Sequence, residues 1–177
     1  EEKQIMSDSL VSFQLREDKK ITARAQGNEV EYDIENQIAN LNNDAIVVLQ
    51  DPPVRVIGEA LQFNQGNNKD SASKRFTVFH QAEKINMVAD EGRGNLENEV
   101  FTMNGNVIVT AARNQARLRS DKLTWTIPTQ AIVAEGNVLY RQSDPIFNLK
   151  GARAVGKLED ETIVVSGDRV VTEIIPE

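Results

Sequence analysis

The stretch "AIVAEGNVLYR" at 131–141 is preceded 31 residues earlier by "VFTMNGNVIVT" at 100–110 and followed 31 residues later by "TIVVSGDRVVT" at 162–172. A fixed interval without gaps means that one structural unit is copied, and the unit must be read before the fold. Stepping by 31 from Gly27 gives Gly58, Ala89, Ser120 and Gly151, a column of small residues. Stepping back from Gly167 gives Gly136, Gly105, Lys74 and Asn43. Apolar residues keep the same register: Ala25, Val56, Met87, Leu118 and Leu149 in one column, Tyr32, Phe63, Gly94, Trp125 and Gly156 in another. Five copies run from about Ala23 to the end, with "SLVSFQLRED" (9–18) as the tail of a partial earlier one, and the second copy, around "NQGNNKDSASK" (64–74), is the most degenerate.

Within a copy the apolar spacing is two. Leu123, Trp125 and Ile127 fall on one face, as do Val138 and Tyr140. That alternation, in segments rich in Val, Ile, Thr and Tyr, predicts half-buried strands and no helix. The phase slips by one residue near the small-residue column, which predicts a β-bulge there. Polar turns are expected at 34–37, 96–99, 127–130 and 158–161, and proline turns at "QDPP" (50–53) and "SDPI" (143–146). Each copy is therefore a hairpin of two strands of about ten residues, and stacked copies share one apolar face. The whole chain, 1–177, reads as a single domain.

Composition narrows the function. A net charge of −7 over 177 residues argues against a nucleic-acid partner. The absence of cysteine removes disulfides and thiolate chemistry, and no apolar run reaches the ~20 residues that span a bilayer as a helix. One histidine, His80, rules out histidine-based triads and multi-histidine metal sites, and is expected to be a solvent-facing strand residue. "EGRGN" (91–95) lacks the third glycine of a dinucleotide loop and is expected to relax a bend in the sheet. The acidic residues Glu97, Glu99, Glu159, Asp160 and Glu161 sit where solvated turns are expected. Arg113, Arg117, Arg119 and Lys122 form the densest basic cluster, read as a charged outer strand face that could meet phosphates. No catalytic constellation and no cofactor motif emerge, so an enzyme is not expected.

The recurring "GNV", in "MNGNVIVTAARNQARLRSDKLTW" (103–125) and "VAEGNVLYRQSDP" (133–145), resembles the OstA-like repeat of the lipopolysaccharide transport (Lpt) proteins. The likeness is clear over about 85–176 and weaker over 21–84. The closing run "FNLKGARAVGKLEDETIVVSGDRVVTEIIP" (147–176) is most similar to the periplasmic part of LptC, with LptA next. The resemblance implies an all-β fold: an antiparallel two-sheet β-jellyroll folded as an open V, with acyl chains carried between the sheets. It implies a non-enzymatic bridge that passes lipopolysaccharide across the periplasm from an inner-membrane ABC transporter towards the outer membrane. The implied partners are lipopolysaccharide, that transporter, and other Lpt jellyrolls or further copies of the chain stacked edge to edge. An N-terminal segment outside this chain would tether it to the inner membrane. Lipid contact is expected from Phe101, Met103, Val107, Val109, Leu123, Trp125, Val138 and Tyr140. Two alternatives remain from the residues themselves: a structural or adhesive β-solenoid with a closed core, and a β-helical enzyme using turn carboxylates.

Overall fold

The computed structural model describes residues 4–7, 11–17, 20–95, 97–113, 115–143, 146–158, 162–167 and 170–174. Part of the expected turns at 96–99, 143–146 and 158–161, including Glu159, Asp160 and Glu161, lies outside them. Sixteen strands follow in order: β1 (Gln4–Ser7), β2 (Val11–Glu17), β3 (Lys20–Gly27), β4 (Glu29–Asp33), β5 (Ile38–Leu49), β6 (Val54–Asn64), β7 (Lys69–Ala72), β8 (Phe76–His80), β9 (Ile85–Ala89), β10 (Glu91–Asn95), β11 (Val100–Ala111), β12 (Ala116–Thr126), β13 (Ala131–Ser143), β14 (Ile146–Lys157), β15 (Thr162–Ser166) and β16 (Val171–Ile174). No helix occurs among the described residues.

Every pairing is antiparallel, and the six long strands β5, β6, β11, β12, β13 and β14 each take part in two ladders. One ladder, sheet A, runs β1-β4-β5-β6-β7-β10-β11-β12-β13-β14-β15. The other, sheet B, runs β2-β3-β5-β6-β8-β9-β11-β12-β13-β14-β16 through the opposite halves of the same long strands. The chain is thus two sheets folded against each other along a shared corner. A coil of parallel rungs, which the β-solenoid reading requires, is contradicted by these antiparallel hairpins.

The corner is where the repeat earns its glycines. Register shifts fall between Asn42 and Ala45, Asn104 and Val107, and Glu135 and Val138. In each case three steps on one strand face two on its neighbour, so one extra residue is inserted. The inserted pairs are left-handed: Asn43 (φ 55°) and Asp44 (62°), Gly105 (75°) and Asn106 (46°), Gly136 (76°) and Asn137 (47°). The bulge was expected in the small-residue column of Ser120. It lies instead on the facing strand, because only Gly, Asn and Asp tolerate that backbone at low cost, while Ser120 passes opposite it. A carboxamide–carboxylate bond ties each corner: Asn106 Nδ2 donates to Asp90 Oδ2 (2.6 Å), Asn137 to Asp121 (2.8 Å) and Asn28 to Asp44 (3.1 Å). Copy two has Lys74 and Arg75 at this corner, and there the long strand breaks into β7 and β8. The ties there become ion pairs, Lys74–Glu59 (3.7 Å) and Arg75–Asp90 (3.3 Å).

At the far ends, Gln37, Asn68, Glu99 and Gln130 recur every 31 residues, all with φ near 50°. Their carbonyls link one turn to the next: Gln65 N–H donates to Gln37, Ile127 to Glu99 and Leu158 to Gln130, each at 3.0 Å. The inward residues of both sheets form one continuous core, with Leu41, Met87, Met103, Leu123, Val107 and Val138 fully buried.

Candidate functional site

Rungs across sheet A set the interior. The rung farthest from the corner carries Tyr32, Ala39, Phe63, Asp70, Gly94, Phe101, Trp125, Ile132 and Gly156 in adjacent register. Tyr32, Phe63 and Phe101 are only half-buried there, so the rung is an apolar rim at those three rings, while Ala39, Trp125 and Ile132 are buried. Across the interior, Leu49 and Ala111 of sheet B are half-buried in the same way.

An aromatic contact joins the two sheets. His80 of β8 packs edge-on against Trp125 of β12, ring centroids 5.7 Å apart. His80 was expected to face solvent, yet it is 3% exposed. The sequence "FTVFH" puts His80 on the inward face with Phe76 and Val78, while Phe79 is the outward residue. The Glu83 N–H donates to His80 Nδ1 at 3.3 Å, so Nε2 carries the proton of the neutral ring. Burial holds the His80 pKa below its usual value, opposed by the Glu83 charge. Among the described residues neither His80 Nε2 nor Trp125 Nε1 has an acceptor.

On one side of this contact lies an apolar cavity of about 100 Å³ between the sheets, walled by Leu61, Phe63, Phe101 and Met103 of sheet A and Val47, Val56, Phe76 and Val78 of sheet B. It exists because Gly92 and Gly94 replace the Leu and Trp that the neighbouring copy carries at 123 and 125. Far from relaxing a bend, "EGRGN" is strand β10, and its two inward glycines receive aromatic rings. A Cβ on Gly92 would stand 2.5 Å from Phe76 Cζ, and one on Gly94 would stand 2.7 Å from Phe101 Cε1. On the other side lies a smaller apolar cavity of about 60 Å³ lined by Ile85, Val109, Leu118, Ile132 and Tyr140.

The eight residues expected to contact lipid all point inward or onto the rim. Phe101 and Met103 wall the larger cavity, and Val109 and Tyr140 the smaller. Val107, Leu123, Trp125 and Val138 are packed, each 2% exposed or less. Sequence reasoning missed Asp70, which occupies the rim column held by Ala39, Phe101, Ile132 and Ile163 in other copies. It lines the larger cavity, and its Oδ1 is buried without a partner. Burial pushes its carboxyl up to about 7, against a donated Asn64 backbone N–H that lowers it. A carboxyl in an apolar wall is most stable as the neutral acid.

The basic cluster divides differently from its order in the chain. Arg113 pairs with Glu83 (3.4 Å) and Lys122 with Glu135 (3.3 Å). Arg117 and Arg119 lie on the outer face of sheet B beside Arg141, away from the interior. Among the described residues no group of His, Cys, Asp or Glu is placed to hold a metal.

No protein-family model and no curated protein matches the chain. Among solved structures, it is similar to LptH from Pseudomonas aeruginosa, the LptA-homologous periplasmic component of a lipopolysaccharide transport device. That similarity covers 87% of this chain and 95% of that one at 14% identity, with a TM-score of 0.45, too loose a likeness to transfer a function.

Proposed function

We propose that the chain is a non-enzymatic periplasmic carrier that holds acyl chains of lipopolysaccharide between its two sheets, as one bridge element of an Lpt-type transport path. The observation that carries this reading is the inter-sheet cavity, whose walls are apolar on both sheets and whose rim is half-open at Phe63 and Phe101. Each CH₂ withdrawn from water is worth ~0.8 kcal/mol, so an apolar trough suffices and no reactive group is needed. The OstA-like "GNV" repeats support the same reading, with an LptC-like role preferred to an LptA-like one. A cavity of about 100 Å³ takes only a few water-sized groups, so as it stands it holds no more than a short stretch of one acyl chain. Loading a longer chain requires the rim rings to turn and the sheets to part beside the His80–Trp125 contact.

Among the described residues no strand pairs with the outer edges of β1 and β15 in sheet A or of β2 and β16 in sheet B. A neighbouring jellyroll could extend both ladders at once and continue the trough, by strand addition.

The test is a titration with lipopolysaccharide followed by Trp125 emission, since Trp125 lies 6.2 Å from the cavity wall residue Phe101. Ala72→Leu should fill the cavity while keeping the fold, because the same column already carries Leu41 in the first copy. The expected result is a saturable change in the parent chain that weakens at least about tenfold in the variant at unchanged melting temperature. No change in the parent chain, or equal binding by the variant, would remove the support for a lipid site here.

A further inference from the structure

We infer that the outer face of sheet B carries a binding site for a phosphate group, built from Arg117, Arg119 and Arg141 with Lys150 beside them. The site is separate from the inter-sheet interior: Arg117 and Arg119 alternate with the buried Ala116, Leu118 and Ser120, so their side chains leave the opposite surface of the sheet. Register places the four cations in two neighbouring rungs. One rung sets Arg117 directly opposite Arg141, and the next sets Arg119 opposite Leu139 and Leu139 opposite Lys150. Arg117, Arg119, Arg141 and Leu139 line a surface hollow of about 130 Å³.

Two features separate this patch from an ordinary charged strand face. Like charges set directly opposite on adjacent strands destabilise a sheet, and here Arg117 and Arg141 are such a pair. The chain also has carboxylates to spare, 27 against 20 Lys and Arg. Four other basic groups use them, in Lys74–Glu59, Arg75–Asp90, Arg113–Glu83 and Lys122–Glu135. Arg117, Arg119 and Arg141 make no ion pair with any described carboxylate. A repulsion left uncompensated in an acidic protein is relieved when an anion arrives.

The geometry selects the anion. A guanidinium fork pairs two donors with two oxygens, so one carboxylate satisfies a single arginine, whereas phosphate offers enough oxygens for several forks at once. A long polyanion fits poorly, because the patch covers two rungs and the net charge of −7 around it repels extended phosphate backbones. The ligand chemistry is therefore one phosphate or pyrophosphate group, free or as the headgroup of a lipid.

Calorimetric titration with inorganic pyrophosphate at low salt tests the site on the full chain. The expected result is saturable binding, weakened about tenfold or more in Arg141→Gln, as loss of a charge-assisted pair implies, and unchanged in Lys122→Gln, whose lysine is paired with Glu135. Phosphatidylcholine vesicles with and without phosphatidic acid distinguish the source. Retention only by the phosphatidic acid vesicles, competed by pyrophosphate, assigns a lipid headgroup, and pyrophosphate binding without vesicle retention assigns a free phosphate. Without any anion, Arg141→Gln should melt higher than the parent chain, because the repulsion is gone. Absence of binding to both probes, equal loss in Arg141→Gln and Lys122→Gln, or a lower melting temperature for Arg141→Gln would each overturn the inference.

Discussion

Replacing Asp70 by Ile should abolish a loss of stability of as much as ~4 kcal/mol that the parent chain suffers as pH rises from about 4 to about 7. The folded-state carboxyl titrates at about 7 and an ordinary aspartate at 3.8, so between these values the folded chain keeps a proton that the unfolded chain has released. Stability therefore falls with rising pH across that window, by ~1.36 kcal/mol for each unit of separation, and levels off above it. Isoleucine is the residue that this column carries at 132 and 163, so the site accepts its shape. His80 acts with opposite sign. Its depressed pKa means the unfolded chain takes a proton first as pH falls, which lowers stability on the acid side of the ordinary imidazole range. The readout is thus the difference between parent and Asp70→Ile urea midpoints at each pH, in which the His80 contribution cancels. A flat difference from pH 4 to 8 would mean that Asp70 is solvated in the folded state.

Leu123→Ala should cost ~3–5 kcal/mol, at the upper end for such truncations. Leu123 is completely buried in sheet A, flanked in register by Met103 and Ala134, both 1% exposed. The long strands on either side are fixed by their corner ties, so collapse around the missing atoms is limited and the void persists. The neighbouring Thr124→Ala, on the outer face, should change stability by no more than ~0.5 kcal/mol. Chemical denaturation of the two variants decides this, and similar small losses in both would show a loosely packed interior. The same burial means that a charge at Leu123 would unfold the sheet rather than report on lipid.

Repetition made the architecture legible. A hairpin period of 31, alternating faces and small residues at a constant phase together specified long strands bent at a bulge, but the bulge sits at the glycine–asparagine pairs 105–106 and 136–137 and not in the column that the phase slip pointed to. What repetition cannot carry is departure from itself. The cavity arises where Gly92 and Gly94 remove two large side chains and Phe76 and Phe101 only partly refill the space, a volume difference that alternation does not encode. Asp70 was hidden because it falls in the degenerate second copy, although its column is otherwise apolar. His80 was assigned to solvent by residue type, when its parity with Phe76 and Val78 already placed it inside. The basic cluster was grouped along the chain, whereas register across β12 and β13 separates Arg117 from Arg113 and joins it to Arg141.

Photocrosslinking from two strands of sheet A decides whether acyl chains lie between the sheets. A photoreactive phenylalanine analogue is placed singly at Leu61, Gln62 and Phe63 of β6, and at Phe101 and Thr102 of β11, and the proteins are irradiated with lipopolysaccharide. Strand geometry sends alternate side chains to opposite faces, so adducts should form at 61, 63 and 101 and be absent at 62 and 102. Adducts at 62 and 102 with none at 61, 63 and 101 would put the lipid on the outer surface and contradict the account.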